Sequence, residues 1–355
     1  MRKKIFSILK YALFLGIGVF LIWWQISKMT ELQKLQFVES LKNAHYIYLL
    51  PILIMAILSH LSRAIRWKIM LEHMGYHPFT SNTFYATMTG YFANNFVPRA
   101  GEVMRCTMLA KYEKIPFTKA FGTVIVERLF DFVCYIGIII ITFLIQIQTV
   151  SDFIKEKMDA IVPQKFFISL WLIAAVVIAV ILISFFIIKW GHKKFAHLGI
   201  VKKINQITKG LKEGLLTIIH LKKRKAFLLH TLFIWTMYVL QVYVGFNALN
   251  ITSGLGIGAA FSVLTLSTLA MIISPGGIGA FPVAVQQVLL IYHVDNISFG
   301  WLIWGANTGI IIMLGITSFL LLHFKNKNET DKQHPRADLR RSGSSEASET
   351  VAIKG

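Results

Sequence analysis

The sequence predicts an all-α, polytopic helical membrane protein, and three observations carry that prediction. Hydrophobic residues make up 55% of the chain and charged residues only 15%, with a mean hydropathy of +0.61, a balance foreign to water-soluble domains. Several separated apolar runs approach the roughly 20 residues that a helix needs to cross the hydrocarbon core. The formal charge of +20 is carried mostly between those runs, in basic loops that alternate with nearly balanced ones, as the positive-inside rule describes. This distribution argues for a membrane and against nucleic acid as the partner of the basic residues. Cys106 and Cys134 make no CxxC and no metal-ligand spacing, so no disulfide framework, metal or cofactor is expected.

Met1 to Lys4 is short and basic, and an apolar run from Ile5 to Trp24 follows it. The bulky Trp23-Trp24-Gln25 is no small-residue cleavage site, so the run is expected to remain as a first span. Its N-terminus would be cytoplasmic and its tryptophans at the far interface. Residues 25–44 carry three lysines against two glutamates, which suits the outside. A second span from about His45 to Leu61 ends in Arg63, Arg66, Trp67 and Lys68 and so returns to the cytoplasm. Residues 82–97 form an apolar segment of only 16 residues, interrupted by Pro98-Arg99-Ala100-Gly101. Both of its flanks are basic, so it is expected to enter and leave by the cytoplasmic face. Such re-entrant backbone is tolerated only when buried in protein or lining a wet cavity.

A span over residues 121–147 leads outward, a nearly neutral loop follows, and residues 166–188 return. Lys189 to Lys225 then holds eleven basic residues against one acid, Glu213. Val201, Ile204, Ile207, Leu211, Leu215 and Ile218 recur at helical spacing, which predicts an amphipathic helix on the cytoplasmic surface. It is either an ordinary positive-inside loop or a device that gathers anionic headgroups. Residues 227–249 lead outward again. Ala259 to Ser274 is broken by Pro275-Gly276-Gly277-Ile278-Gly279, and Val283 to Tyr292 follows, giving a second re-entrant element that starts and ends outside. The last span, residues 300–324, places a polar, basic tail of residues 325–355 in the cytoplasm, where disorder is expected. Residues 1–324 thus form one membrane domain of about six full spans. Within it, residues 45–147 and 227–324 are expected to be inverted halves, each with one oppositely oriented, broken re-entrant helix. That arrangement points to a transporter with its site at the repeat interface, near the midplane.

The candidate site residues lie where charge interrupts this apolar sequence. An ionised side chain at the bilayer centre costs about 2.5–3.5 kcal/mol or more unless paired or hydrated. Asn94, Asn95, Pro98, Arg99, Gly101, Glu102 and Arg105 follow the first broken segment. A break at Pro98 frees backbone carbonyls, and the helix after it presents its N-terminus. Arg99 and Arg105 have the forked donors that suit phosphate oxygens, and Glu102 can hold either one. Glu127, Arg128 and Asp131 share a helical flank at spacings of three and four. With two acids to one arginine, that flank needs a second cation, and Arg99 or Arg105 is the expected partner. These groups either bind substrate or lock the re-entrant element. Pro275, Gly276, Gly277 and Gly279 allow a tight turn and close backbone approach, a membrane hinge unless Gln286 and Gln287 face the same cavity. The turn lacks the spacing of a nucleotide-binding loop. His60, His230 and His323 stand alone near span ends, and no catalytic constellation is visible, so no enzyme activity is expected.

Asn94…Pro98-Arg99-x-Gly101-Glu102-x-x-Arg105, then Glu127-Arg128-x-x-Asp131, then Pro275-Gly-Gly-x-Gly279, resembles the lysylphosphatidylglycerol synthase transmembrane region, also called the flippase-like or UPF0104 domain. The likeness covers roughly Ile5 to Phe324. It implies a domain that moves lipid between leaflets, as this module does for the modified lipid in aminoacyl-phosphatidylglycerol synthases. Only a short polar tail follows the last expected span, so a soluble aminoacyl-transferase domain, and with it lipid synthesis, is not expected. Members often carry a glutamate just after the glycine motif, where this chain has Phe281-Pro282. The resulting expectation is a flippase-like transporter of an anionic phospholipid or a polyprenyl-type lipid in the cytoplasmic membrane. In it Arg99 and Arg105 meet the headgroup, while Glu127 and Asp131 balance charge or couple protons. Two alternatives stand beside it. One is a transferase acting on a lipid phosphate with Glu102 or Glu127 as base; the other is a membrane partner of a separate soluble lipid-modifying enzyme, docked through residues 189–225.

Overall fold

The computed structural model describes residues 29–159 except Pro98, residues 221–352, and, ahead of them, Gly16, Phe20 and residues 23–27. Side chains are described to Asp152 in the first stretch and to Lys325 in the second, apart from Val150 and Pro275. The expected spans at 5–24 and 166–188 and the basic segment 189–225 lie largely outside these residues.

Every described element is helical: α1 Glu31–Lys42, α2 Leu49–His73, α3 Thr80–Phe96, α4 Ala100–Tyr112, α5 Phe117–Asp159, α6 Arg224–Gly245, α7 Ile257–Ile273, α8 Ala280–Ile291 and α9 Ser298–Ala352. Short 3₁₀ turns extend α2 backward from Leu49 and α6 forward from Gly245. Among the described residues, four stretches are long and apolar enough to cross a membrane: Tyr46–His73, Phe117–Thr149, Arg224–Ala248 and Ser298–Lys325. The second span therefore runs through to His73 instead of ending near Leu61. Ser62, Arg63, Arg66 and Trp67 are buried against other helices, so partner charges and hydrogen bonds let the helix continue where the sequence suggests a boundary. The backbone of α9 also stays helical to Ala352, where the sequence predicts disorder after Phe324. The membrane helix supplies the nucleus, so extension needs no new and costly first turn.

α3 and α7 are each 17 residues long, about 26 Å at ~1.5 Å per residue and short of a core about 30 Å thick. Both end in the same way. Val97 is extended at φ −131° and ψ 113°, and Arg99 is left-handed at φ 62° and ψ 6°. Ser274 is extended at φ −115° and ψ 144°, and Gly276 is left-handed at φ 57° and ψ 11°. The chain then turns back, as α4 against α3 and as α8 against α7. Gly90 and Gly101 make the first hairpin tight: a Cβ on Gly90 would lie 2.8 Å from the Gly101 carbonyl oxygen.

The two halves are inverted relative to each other, and their contacts show it residue by residue. α2 and α6 run antiparallel. His45 N–H donates to the Ala248 carbonyl at 2.8 Å, Ser62 Oγ meets His230 Nδ1 at 2.8 Å, and Lys223 Nζ meets Glu72 Oε2 at 2.8 Å. The hairpins are exchanged between halves. α3 packs antiparallel on α9, with Lys325 Nζ donating to Ser81 Oγ at 3.0 Å and Gly315 against Phe92. α7 packs antiparallel on α5, with Tyr135 Oη donating to the Thr265 carbonyl at 2.7 Å and Thr142 Oγ1 at 2.8 Å from Thr265 Oγ1. Two elements about 26 Å long entering a ~30 Å core from opposite faces must overlap. Their tips do meet: a Cβ on Gly276 would lie 3.2 Å from Asn95 Cα.

Candidate functional site

The charged residues of the first half converge between α2, α4 and α5. Arg66 of α2 is fully buried and forks onto Asp131, Nη1 to Oδ1 at 2.7 Å and Nη2 to Oδ2 at 3.0 Å. It also donates to Glu127 Oε1 at 3.0 Å and Thr231 Oγ1 at 3.1 Å. Glu127 is itself fully buried, and its second oxygen accepts from Arg105 Nη2 at 3.0 Å. The Arg105 guanidinium lies 4.6 Å from the Trp67 ring centroid, a cation–π contact in a desolvated setting. Arg63 sits 3.5 Å from Asp131 and donates to Tyr238 Oη at 3.1 Å, and Arg128 pairs with Glu102 at 3.1 Å. Four guanidiniums thus face three carboxylates, leaving one positive charge in excess.

Beside this network lies a cavity of about 460 Å³ lined by both halves, within the ~300–1,000 Å³ typical of small-molecule sites. Its polar end is formed by His60, Arg63, Tyr91, Asn95, Arg128 and Asp131. Its long wall is aromatic and aliphatic, with Tyr135, Trp235, Leu264, Phe281 and Ile303 among its members. Phe132, Met271 and Ile272 line it while remaining 55%, 46% and 64% exposed, so the cavity opens sideways between α5 and α7. The Tyr91 hydroxyl, the Asn95 and Gln241 amide nitrogens and the Trp235 indole nitrogen border it without a hydrogen-bond partner. Unmet buried polar groups cost about 1–3 kcal/mol each, which makes the cavity suited to water or a polar headgroup.

The predicted residues divide between scaffold and cavity. Asn94 is scaffold: its Oδ1 accepts from the Gly101 N–H at 2.7 Å and caps α4 from the neighbouring helix. Asn95, its neighbour, faces the cavity. The expected cation for Glu127 is supplied by Arg105, as the sequence suggests, but also by Arg66. Arg105 is therefore occupied, and only Arg63, Arg128 and Asp131 of the network reach the cavity. Arg99 is exposed at the first hairpin tip, in a backbone conformation that costs a non-glycine residue about 1–2 kcal/mol. Gly276 meets Asn95, and Trp304 Nε1 donates to its carbonyl at 2.8 Å. Gly277 and Gly279 also hold positive φ, at 71° and 70°. Gln286 does not join this cavity. It lines a smaller pocket at the opposite end of the molecule with Gln287, donating to Asp295 at 3.0 Å.

Arg63 and Arg66 are the residues that sequence reasoning assigns to a cytoplasmic flank. Their spacing of three puts both on one face of a helix, as the spacing of four does for Glu127 and Asp131, and is the signal that could have found them. His60, which the sequence leaves alone near a span end, is buried on the cavity wall, and His230 is held by Ser62.

Comparison with known proteins bears on what such a site serves. A family model described as "Lysylphosphatidylglycerol synthase TM region" matches residues 7–327. A UPF0104 membrane protein of Methanothermobacter thermautotrophicus is 23% identical over 281 residues, covering 72% of this chain and 77% of that protein. One UPF0104 membrane protein of Methanocaldococcus jannaschii is 29% identical over 209 residues, 58% of this chain and 81% of that protein. Another from the same organism is 35% identical over 97 residues, so that the chain spans only 29% of that relative's length. No solved structure matches the chain.

Proposed function

The chain belongs to the lysylphosphatidylglycerol synthase transmembrane-region family, and on that premise we propose that it moves an anionic lipid between membrane leaflets through the central cavity. The observation that carries this reading is the cavity's two-ended chemistry, with arginines at one end, an aromatic and aliphatic wall, and a side opening toward the acyl chains. Arg63 and Arg128 would meet the phosphate, and the chains would leave between α5 and α7. A single excess positive charge suits a phosphodiester, with one negative charge, better than a polyprenyl phosphomonoester with up to two. Lys111, Lys114, Lys119 and Lys223 to Lys225 lie at the end from which the first hairpin enters, and the positive-inside rule would assign that end to the cytoplasm of the inner membrane. A cysteine replacing Lys114 would then react with an impermeant thiol reagent from that side alone.

The transferase alternative needs a free base: Glu127 has both oxygens bound by arginines, so that role would fall to Glu102, which pairs with Arg128 through one oxygen and keeps the other without a partner. The partner alternative rests on residues 189–225, which lie largely outside the described residues.

The test is exchange of a fluorescent phosphatidylglycerol between leaflets of proteoliposomes, read by quenching of the outer leaflet. Arg63→Ala with Arg128→Ala is expected to lower the protein-dependent rate by at least about tenfold, the equivalent of ~1.4 kcal/mol. Folding is checked by elution and thermal unfolding. An unchanged rate in a folded double variant would remove the assignment.

A further inference from the structure

The smaller pocket, at the end of the molecule away from Lys325, has a chemistry of its own. It lies between residues 24–25, α1, α8 and residues 295–298, with a volume of about 170 Å³. That is room for five or six water-sized groups at ~30 Å³ each, or for one glycerol or sugar ring. Amides reach it from four parts of the chain: Gln25, then Gln33 and Gln36 of α1, then Gln286 and Gln287 of α8, then Asn296. Gln25 is 6% exposed, and neither its Oε1 nor its Nε2 has a partner.

The lining argues against an anionic ligand. None of the described residues that form it is Lys, Arg or His, so a phosphate would meet no cation and one carboxylate. That carboxylate, Asp295, accepts from Gln33 Nε2 at 3.3 Å and Gln286 Nε2 at 3.0 Å, which fixes both amides on the pocket wall; an ammonium is the competing ligand, and the phosphatidylethanolamine arm below tests it. A primary amide donates and accepts from adjacent atoms, and a hydroxyl also does both, so converging glutamines match vicinal hydroxyls. On α1, Leu32, Leu35 and Val38 are 62–66% exposed along one edge. The helix that roofs the pocket therefore presents an apolar stripe, as a helix at the headgroup level does.

We propose that this pocket binds an uncharged, hydroxyl-rich group of glycerol or monosaccharide size, separate from the anionic site in the central cavity. The group comes either from a lipid headgroup or from free polyol. The pocket shares no lining residue with the central cavity, so it does not depend on the transport reading.

The experiment uses the full chain in phosphatidylcholine nanodiscs, with ligand retention read by native mass spectrometry. One arm contains monoglucosyl diacylglycerol, a second phosphatidylethanolamine, and a third no added lipid but free glucose in the buffer. The glucosyl lipid is expected to be retained at least about tenfold over phosphatidylethanolamine. Gln25→Leu, and independently Gln36→Leu, are expected to lower its retention about tenfold while phosphatidylethanolamine retention stays unchanged. Retention of free glucose that both substitutions abolish would support the same site with a soluble source. Equal retention of the two lipids, or retention of the glucosyl lipid that survives both substitutions, would overturn the proposal.

Discussion

Arg63 and Arg105 both meet acids of α5, but at opposite edges of the network, and their removal should differ in kind. Arg105 is 3% exposed and is one of two cations on Glu127. Arg105→Ala leaves a buried carboxylate half-paired, and breaking such a pair costs about 3–5 kcal/mol. A clear fall in thermal midpoint is expected. Arg63→Ala leaves Asp131 with both oxygens still bound by Arg66, so it should cost less than half as much and act mainly on lipid exchange. Equal destabilisation by the two substitutions would contradict this division. At this scale the sequence makes Glu127, Asp131 and Arg105 legible as partners, since unpaired charges inside apolar runs demand one another. It hides Arg63 and Arg66, because a basic pair after an apolar run reads as an interfacial flank, and only the partner helix shows that the span continues. It also hides the difference between Asn94 and Asn95, adjacent amides on different faces of one helix.

α3–α4 and α7–α8 are the elements that make the fold unusual, and both breaks are readable from proline and glycine. Their equivalence is not. Arg99 and Gly276 share one backbone conformation but no side chain, so no repeat is visible in the letters. The close approach within the first hairpin is testable through Gly101, where a Cβ would collide with the Gly90 carbonyl and lie 2.7 Å from the Asn94 amide. Gly101→Ala is expected to part α3 from α4 and lower the thermal midpoint. Gly137→Ala, in mid-α5 with nothing within 4 Å of the new methyl, should be neutral or stabilising by up to about 1 kcal/mol. If the two alanines behaved alike, tight backbone contact would not be what holds the hairpin.

At the scale of the whole molecule, antiparallel pairing of elements between the halves was readable from loop charges as an expectation of inversion. The exchange of hairpins was not, since α3 on α9 and α7 on α5 depend on side-chain fit across more than a hundred residues. That exchange brings the hairpin ends together beside one cavity, which takes Asn95 from the first and Met271, Ile272 and Phe281 from the second, so relative movement of the halves would alter access to it. Locking the tips tests whether lipid passes between them. In a chain with Cys106 and Cys134 replaced by Ala, Asn95→Cys and Gly276→Cys place two thiols at a contact where a Gly276 Cβ lies 3.2 Å from Asn95 Cα, close enough for a disulfide. Leaflet exchange of phosphatidylglycerol should proceed in the reduced protein, stop on oxidation and return with reductant. Oxidised, fully cross-linked protein that exchanges lipid at the reduced rate would contradict a path between the two halves.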